Sequence, residues 1–177
     1  MDGKALVDSV KREVIEPGIR RLMDSQYFTE MRQGKLSIKR LQGWAIQHYL
    51  HNKAILKSFA LGMVKNAHDQ TMFDYFIYQL NEEQSHPDLA KRFGLALGLK
   101  EDDFTEATQM FECQIHSART VYNTLMGYAP QNRASALTSE SMVCRYSEEF
   151  LNAGNINRGR SRKPWSLQQI CLHKFYH

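Results

Sequence analysis

The chain is short of cysteine and proline, with three and four in 177 residues, and it lacks any long apolar run. Each shortage removes a class of protein. Cys113, Cys144 and Cys171 are widely spaced and odd in number. They form no CxxC pair, so they point to neither a zinc knuckle nor a disulfide framework. Free thiols of this kind fit a reducing cytoplasm, the expected location. No apolar run approaches the roughly 20 residues a membrane helix needs. The start, MDGKALVDSVKREVIEP, has no apolar core of signal-peptide length. There is no Gly-rich phosphate loop, no GxSxG elbow and no HExxH zinc motif. No stretch alternates convincingly as a strand, and no period of 20–50 residues repeats.

The tail, residues 153–177, carries Arg158, Arg160, Arg162, Lys163 and Lys174 and no Asp or Glu. The formal net charge of +4 comes from there: taking those five from 23 basic side chains leaves 18 against 19 acidic. The body is neutral and shows no nucleic-acid footprint. A short basic loop such as NRGRSRKPW is ordinarily just solvated.

What is present is helical patterning at a length that favours one core. Leu6, Val10 and Val14 step by four until Pro17-Gly18, where a break or kink is expected. A second segment spans 19–32 and ends at Gly34. Residues 36–67 are the strongest helix, with Ser37 as N-cap. Leu41, Trp44, Ala45, Tyr49, Ala54 and Leu56 form its expected buried stripe. Further helices are expected over 69–84, from Pro87 to a stop at Gly98, over 100–129, and over 132–153. Pro87 lacks a backbone donor, so His86-Pro87 should bend or restart the chain. The expected organisation is a helical body over 1–153, a basic loop over 154–164 and a last helix over 165–177.

The stretch YQLNEEQSHPDL (78–89) poses the chemical question. Residues at i and i+3 share a helix face, so Glu83 and His86 can hold one metal ion between them. Carboxylate-bridged di-iron bundles use this Glu-x-x-His spacing, with more Glu from other helices. Glu82 and His86, at i and i+4, serve equally by spacing, and the bland alternative is a solvated polar face. Glu140 has small or apolar neighbours, which places it on a buried face or leaves it a surface residue between two serines. His173 and His177 are spaced i, i+4, a good pair for one metal if both face inward; otherwise they belong to a frayed chain end. His48 and His51 are not expected to face the same way. His48, with Trp44 and Tyr49 beside the core, is expected to line a pocket. His68 and His116 read as surface residues, and Cys113 and Cys144 as packing residues.

The order of segments resembles a known group. YFTEMRQGKLSIKRLQGWAIQHYLHNKAILKSFALGMV, then LNEEQSHPDLAKRFGLALGL, then LTSES, is similar to the heme-oxygenase-like diiron oxidase superfamily. That superfamily includes the CADD, pyrroloquinoline-quinone (PQQ) synthesis oxidase and TenA/thiaminase-2 proteins. The likeness covers roughly residues 20–150. It implies an all-α bundle of about seven helices around a central cavity, and a homodimer. In the oxidase branch iron is held by three histidines and three carboxylates. By position, these would include Glu83, His86 and Glu140. The final helix should supply a His, then an Asp four on, then a His three further. His173 stands at the first place and His177 where the Asp should be, so the C-terminal helix is short or incomplete against the pattern. The switch to GNINRGRSRKPWSLQQ fits a divergent loop, a truncation or a change of reading frame. Phe28 and Phe150 fall near the tyrosine and lysine of the aminobenzoate-forming branch, which argues against that reaction.

The resemblance implies a metal-dependent, oxygen-activating oxidoreductase, a non-heme iron oxidase acting on a small organic or amphipathic acid. Its cofactor would be two irons, or manganese, and its co-substrate dioxygen. Glu83 and Glu140 would supply anionic ligands, His86 and His173 neutral nitrogens, and Trp44, His48 and Tyr49 the pocket lining. The alternatives are a metal-free enzyme on the same fold, like the PQQ-synthesis or thiaminase-2 proteins, and a degenerate member that binds a ligand or partner without turnover.

Overall fold

The computed structural model describes residues 2–158. His173, His177, Cys171 and the expected last helix lie outside the described residues. Every regular element among them is helical: α1 (Gly3–Val10), a π-turn (Lys11–Ile15), α2 (Glu16–Met23), α3 (Gln26–Arg32), α4 (Ile38–Lys65), α5 (Gln70–Glu83), α6 (His86–Ala96), α7 (Asp102–Thr105), α8 (Phe111–Met126) and α9 (Ala129–Arg158). The chain divides into two compact units, residues 37–133 and the flanking segments 1–36 with 134–177.

In the flanking unit, Pro17 does not end the first helix as expected. Pro17 cannot donate to the carbonyl four residues back, and its ring crowds that turn. The π-turn over Lys11–Ile15, in which the Glu16 N–H reaches Lys11 O, widens the ladder just ahead of the proline. The helix therefore continues to Met23. The expected 19–32 helix is two pieces, because Ser25 is extended and opens α3. That helix closes at Gly34, whose φ of 66° suits glycine. Lys35 N–H bonds Glu30 O while Gly34 N–H bonds Met31 O, a Schellman end. Phe28 and Phe150 are buried edge to face at 6.4 Å between ring centres, so both serve the core. Arg32 ties the same region together, donating to Met23 O at 2.7 Å and lying 3.6 Å from Glu149.

The central unit is organised around α4, which packs against α5, α6, α7 and α8. Ser37 caps α4 as expected, and Asp69 caps α5. The α4 interior differs from the expected apolar stripe. Its buried residues are Ala45, Asn52, Ser58 and Gly62, while Leu41, Trp44, Tyr49, Ala54 and Leu56 are half-buried. A helix with neighbours on several sides is approached closely, and small side chains permit that. Gly62 shows the need: a Cβ there would stand 2.6 Å from the Phe76 ring. Gly94 is similar, with a Cβ meeting Phe104 at 2.5 Å. The α6 helix stops at Gly98, φ 92°, through a second Schellman end.

The expected helix over 100–129 is interrupted. Phe104 buries the short α7, and α8 begins only at Phe111. The cause is tertiary. Gln47 of α4 donates to Thr108 O at 3.1 Å and accepts from Met110 N–H at 2.8 Å. Those backbone groups are satisfied by a side chain instead of by helix. At the far end, α9 runs to Arg158, five residues into the stretch read as basic loop.

Candidate functional site

The turn between α5 and α6 places the chemistry. Glu83 is the last residue of α5 and His86 the first of α6, with Pro87 in the first turn, where a missing N–H costs nothing. Glu83 is buried to 9 % exposure and its Oε2 is in direct contact with His86 Nδ1. Glu82 is exposed, so the fold selects Glu83 of the two glutamates.

A second histidine joins them. His51, on α4, makes a 2.8 Å hydrogen bond from Nδ1 to Ser117 Oγ on α8. Ser117 Oγ also accepts from Gln109 Nε2 at 2.8 Å. The hydroxyl, with one proton and two lone pairs, serves His51 Nδ1 as donor or acceptor according to the imidazole tautomer. Loss of hydration first, and the neighbouring His116 second, push the His51 pKa down to about 4 against the opposing Glu83 charge. His51 is therefore a neutral imidazole within electrostatic reach of Glu83. The His116 side chain is exposed, as expected of a surface residue, yet its ring lies 4.7 Å from that of His51. Partial desolvation, then Arg119, holds its pKa below the usual value.

Asn52, next along α4, is buried, and its Nδ2 has no hydrogen-bond partner among the described residues. A buried amide donor of this kind is costly unless an acceptor reaches it.

The expected pocket residues divide. Trp44 stacks on His48, with ring centres at 4.6 Å and planes 14° apart, and meets the edge of Phe93. Tyr49 packs on Phe104 with Lys53 over its ring. Glu140 is half-buried on α9, in the flanking unit. His68 is exposed. Cys113 and Cys144 are half-buried, and burial followed by the Glu112 charge raises the Cys113 pKa, which makes it a poor nucleophile.

Sequence reasoning missed His51, Ser117 and Gln109. A signal existed. His51, Ser58 and Lys65 recur every seven residues on α4, and Ser117 and Thr124 are seven apart on α8. Those positions meet: His51 with Ser117, Ser58 Oγ with Thr124 Oγ1 at 2.7 Å, and Lys65 Nζ with Thr124 O at 3.1 Å and with Gly127 O. The two helices run parallel along a polar seam.

Among the described residues, no group of three or more His, Cys, Asp or Glu side chains could hold a metal ion. Glu83 and His86 offer one carboxylate and one imidazole, chemistry that suits iron or manganese. They make half a site. No described third donor completes it, so no step is derived through a metal.

The all-helical architecture is that of a heme-oxygenase-like protein. The model of the TENA/THI-4/PQQC family matches residues 26–164, and the chain belongs to that family. No curated protein and no solved structure matches it. Among the described residues no helix is long and apolar enough to cross a membrane.

Proposed function

We propose that the chain is an enzyme acting on a small organic or amphipathic acid, with Glu83–His86 as its chemical centre. The observation that carries this reading is the contact between a buried carboxylate and an imidazole across the α5–α6 turn. A buried charge of this kind is costly without a partner, and structural need alone does not call for it. Asn52 Nδ2 offers a donor to a ligand oxygen. His51, neutral and held by Ser117, is placed to accept or relay a proton.

The finer reading is a non-heme iron oxidoreductase that consumes dioxygen. In it Glu83 and His86 are joined by Glu140, and by His173 and His177 from outside the described residues. Bound ferrous iron, or manganese, would supply the electrons that activate dioxygen. The residues of this chain would hold the metal, exclude water and orient the acid. Anaerobic loading with ferrous iron tests it, followed by metal analysis and oxygen uptake. The expected result is near two irons per chain, with His86→Ala losing most of the iron while keeping its helicity. Unchanged iron in that variant would sink the ligand assignment. A wild-type chain that retains no iron favours the second reading, a metal-free enzyme of the same family.

A further inference from the structure

Asn52 lies where three helices converge. The contacts on either side of it fix the register of α4 against α5 and α6. Ala45, seven residues earlier, is the side chain that a Cβ at Gly94 of α6 would meet at 3.2 Å. Phe59, seven residues later, packs on Phe76 of α5, with ring centres 6.5 Å apart. Positions seven apart on a helix differ by only about 20° in direction, so Ala45, Asn52 and Phe59 share one face of α4. The count along the opposing helices closes at the same level, because two helical turns take about seven residues. Seven steps on from Phe76 along α5 stands Glu83, and eight steps back from Gly94 along α6 stands His86. The α5–α6 turn is therefore opposite Asn52. The Glu83 charge felt at His51, the preceding residue, agrees with that placement.

The chemistry of Asn52 is one-sided. The residue is 8 % exposed, and its Nδ2 has no hydrogen-bond partner among the described residues. A buried donor in that state is destabilising, and leucine, of nearly the same size, would fill the position without one. What the amide adds is a fixed N–H donor beside the carboxylate–imidazole pair. Such a donor selects acceptors. The acyl oxygen of a carboxylic acid or an amide is one, whereas an ammonium group has only donors of its own.

We propose that Asn52 is the recognition residue of the Glu83–His86 centre, donating from Nδ2 to an acyl oxygen of the bound molecule. The inference rests on the reading of Glu83 and His86 as the chemical centre, and adds the group that orients a ligand there. Asn52 carries no titratable proton, so it positions the ligand and leaves proton transfer to its neighbours. Its seat in the middle of the long α4 suits that task, since side chains on regular elements hold a ligand more precisely than those on loops.

Nuclear magnetic resonance of the asparagine side-chain amides in the full, isotope-labelled chain tests it, with hexanoate, hexanamide and hexylamine as probes. The Asn52 signals are those missing from the spectrum of Asn52→Asp. Hexanoate and hexanamide at saturation should shift them, and hexylamine should not. Asn52→Asp keeps the shape but replaces the donor with an acceptor, and should weaken the acyl probes roughly tenfold without weakening hexylamine. Asn52→Leu should weaken them alike while raising the thermal midpoint of the ligand-free chain, which separates lost binding from lost fold. His86→Ala should also weaken the acyl probes. Whether hexanoate or hexanamide binds more tightly tells an acid from a neutral amide, and either order supports the acyl oxygen. Acyl probes that bind both Asn52 variants as tightly as the wild type would overturn the inference and leave the Glu83–His86 centre standing. Undiminished binding to His86→Ala would overturn it too, by placing the ligand away from that centre. If no probe binds the wild type and Asn52→Leu lowers the midpoint, Asn52 is satisfied within the fold and the inference fails alone. If no probe binds and the midpoint rises, the reading of the centre as a site for acids fails with it.

Discussion

His51 Nδ1 and Ser117 Oγ stand 2.8 Å apart, joining positions 66 residues apart in sequence across the α4–α8 seam. The bond anchors the ring in place, and loss of hydration keeps it neutral within electrostatic reach of Glu83.

This makes stability pH-dependent. The His51 pKa is about 4 in the folded chain against 6.5 for a free imidazole. Between those values the unfolded chain binds the extra proton, so stability is fully present above about 6.5 and is lost as pH falls toward about 4. At 1.36 kcal/mol per pKa unit the loss is at most about 3 kcal/mol. Urea midpoints across that window should fall for the wild type, and His51→Gln should flatten much of the slope. His116→Gln should remove a smaller part with the same sign. An identical slope in wild type and His51→Gln would show that other groups carry it.

Asn52→Leu should raise the stability of the ligand-free chain by about 1 kcal/mol, since it removes a buried donor that no described group satisfies. A lower thermal midpoint would mean that Asn52 is already satisfied.

Glycine substitutions on α4 should split by surroundings. Gly43 has open space about it, and Gly43→Ala should stabilise by up to about 1 kcal/mol through helix propensity. Gly62→Ala gains the same propensity but drives a methyl to 2.6 Å from Phe76. Overpacking costs about 1–3 kcal/mol, so the clash wins and the midpoint should fall. Equal effects at the two sites would contradict the tight α4–α5 approach.

Ser58 and Thr124 share a buried hydroxyl pair. Thr124 Oγ1 donates to Thr120 O, so Ser58 is the donor between them. Ser58→Ala should cost about 1 kcal/mol, and Ser58→Val more, because the site is fully buried and has no room for two methyls. A double-mutant cycle with Thr124→Val measures the coupling, and a value near zero would remove the seam's polar contribution.

Much of the fold was legible because its signals are local. The long α4 with Ser37 at its head, the restart at His86-Pro87 and the stop at Gly98 each depend on a few neighbouring residues. So does the approach of Glu83 to His86, which stand three residues apart across a two-residue turn. Yet spacing left Glu82 and Glu83 equal, and only burial chose between them. The turn at Pro17 was legible as a disturbance but not as a π-turn that lets the helix continue. The break between α7 and α8 was invisible, because Gln47, some 60 residues earlier, satisfies the backbone there.

The sequence by itself determined an all-α chain and the ends of its longest helix, and narrowed the partner of His86 to Glu82 or Glu83, since these depend on contacts within one or two turns. Tertiary structure decided the rest: that α4 buries small and polar residues, that His51 meets Ser117, and that the α5–α6 turn stands opposite Asn52. A side chain's periodicity says which neighbours share its face. Only the packing of one helix on another says whether that face is turned inward.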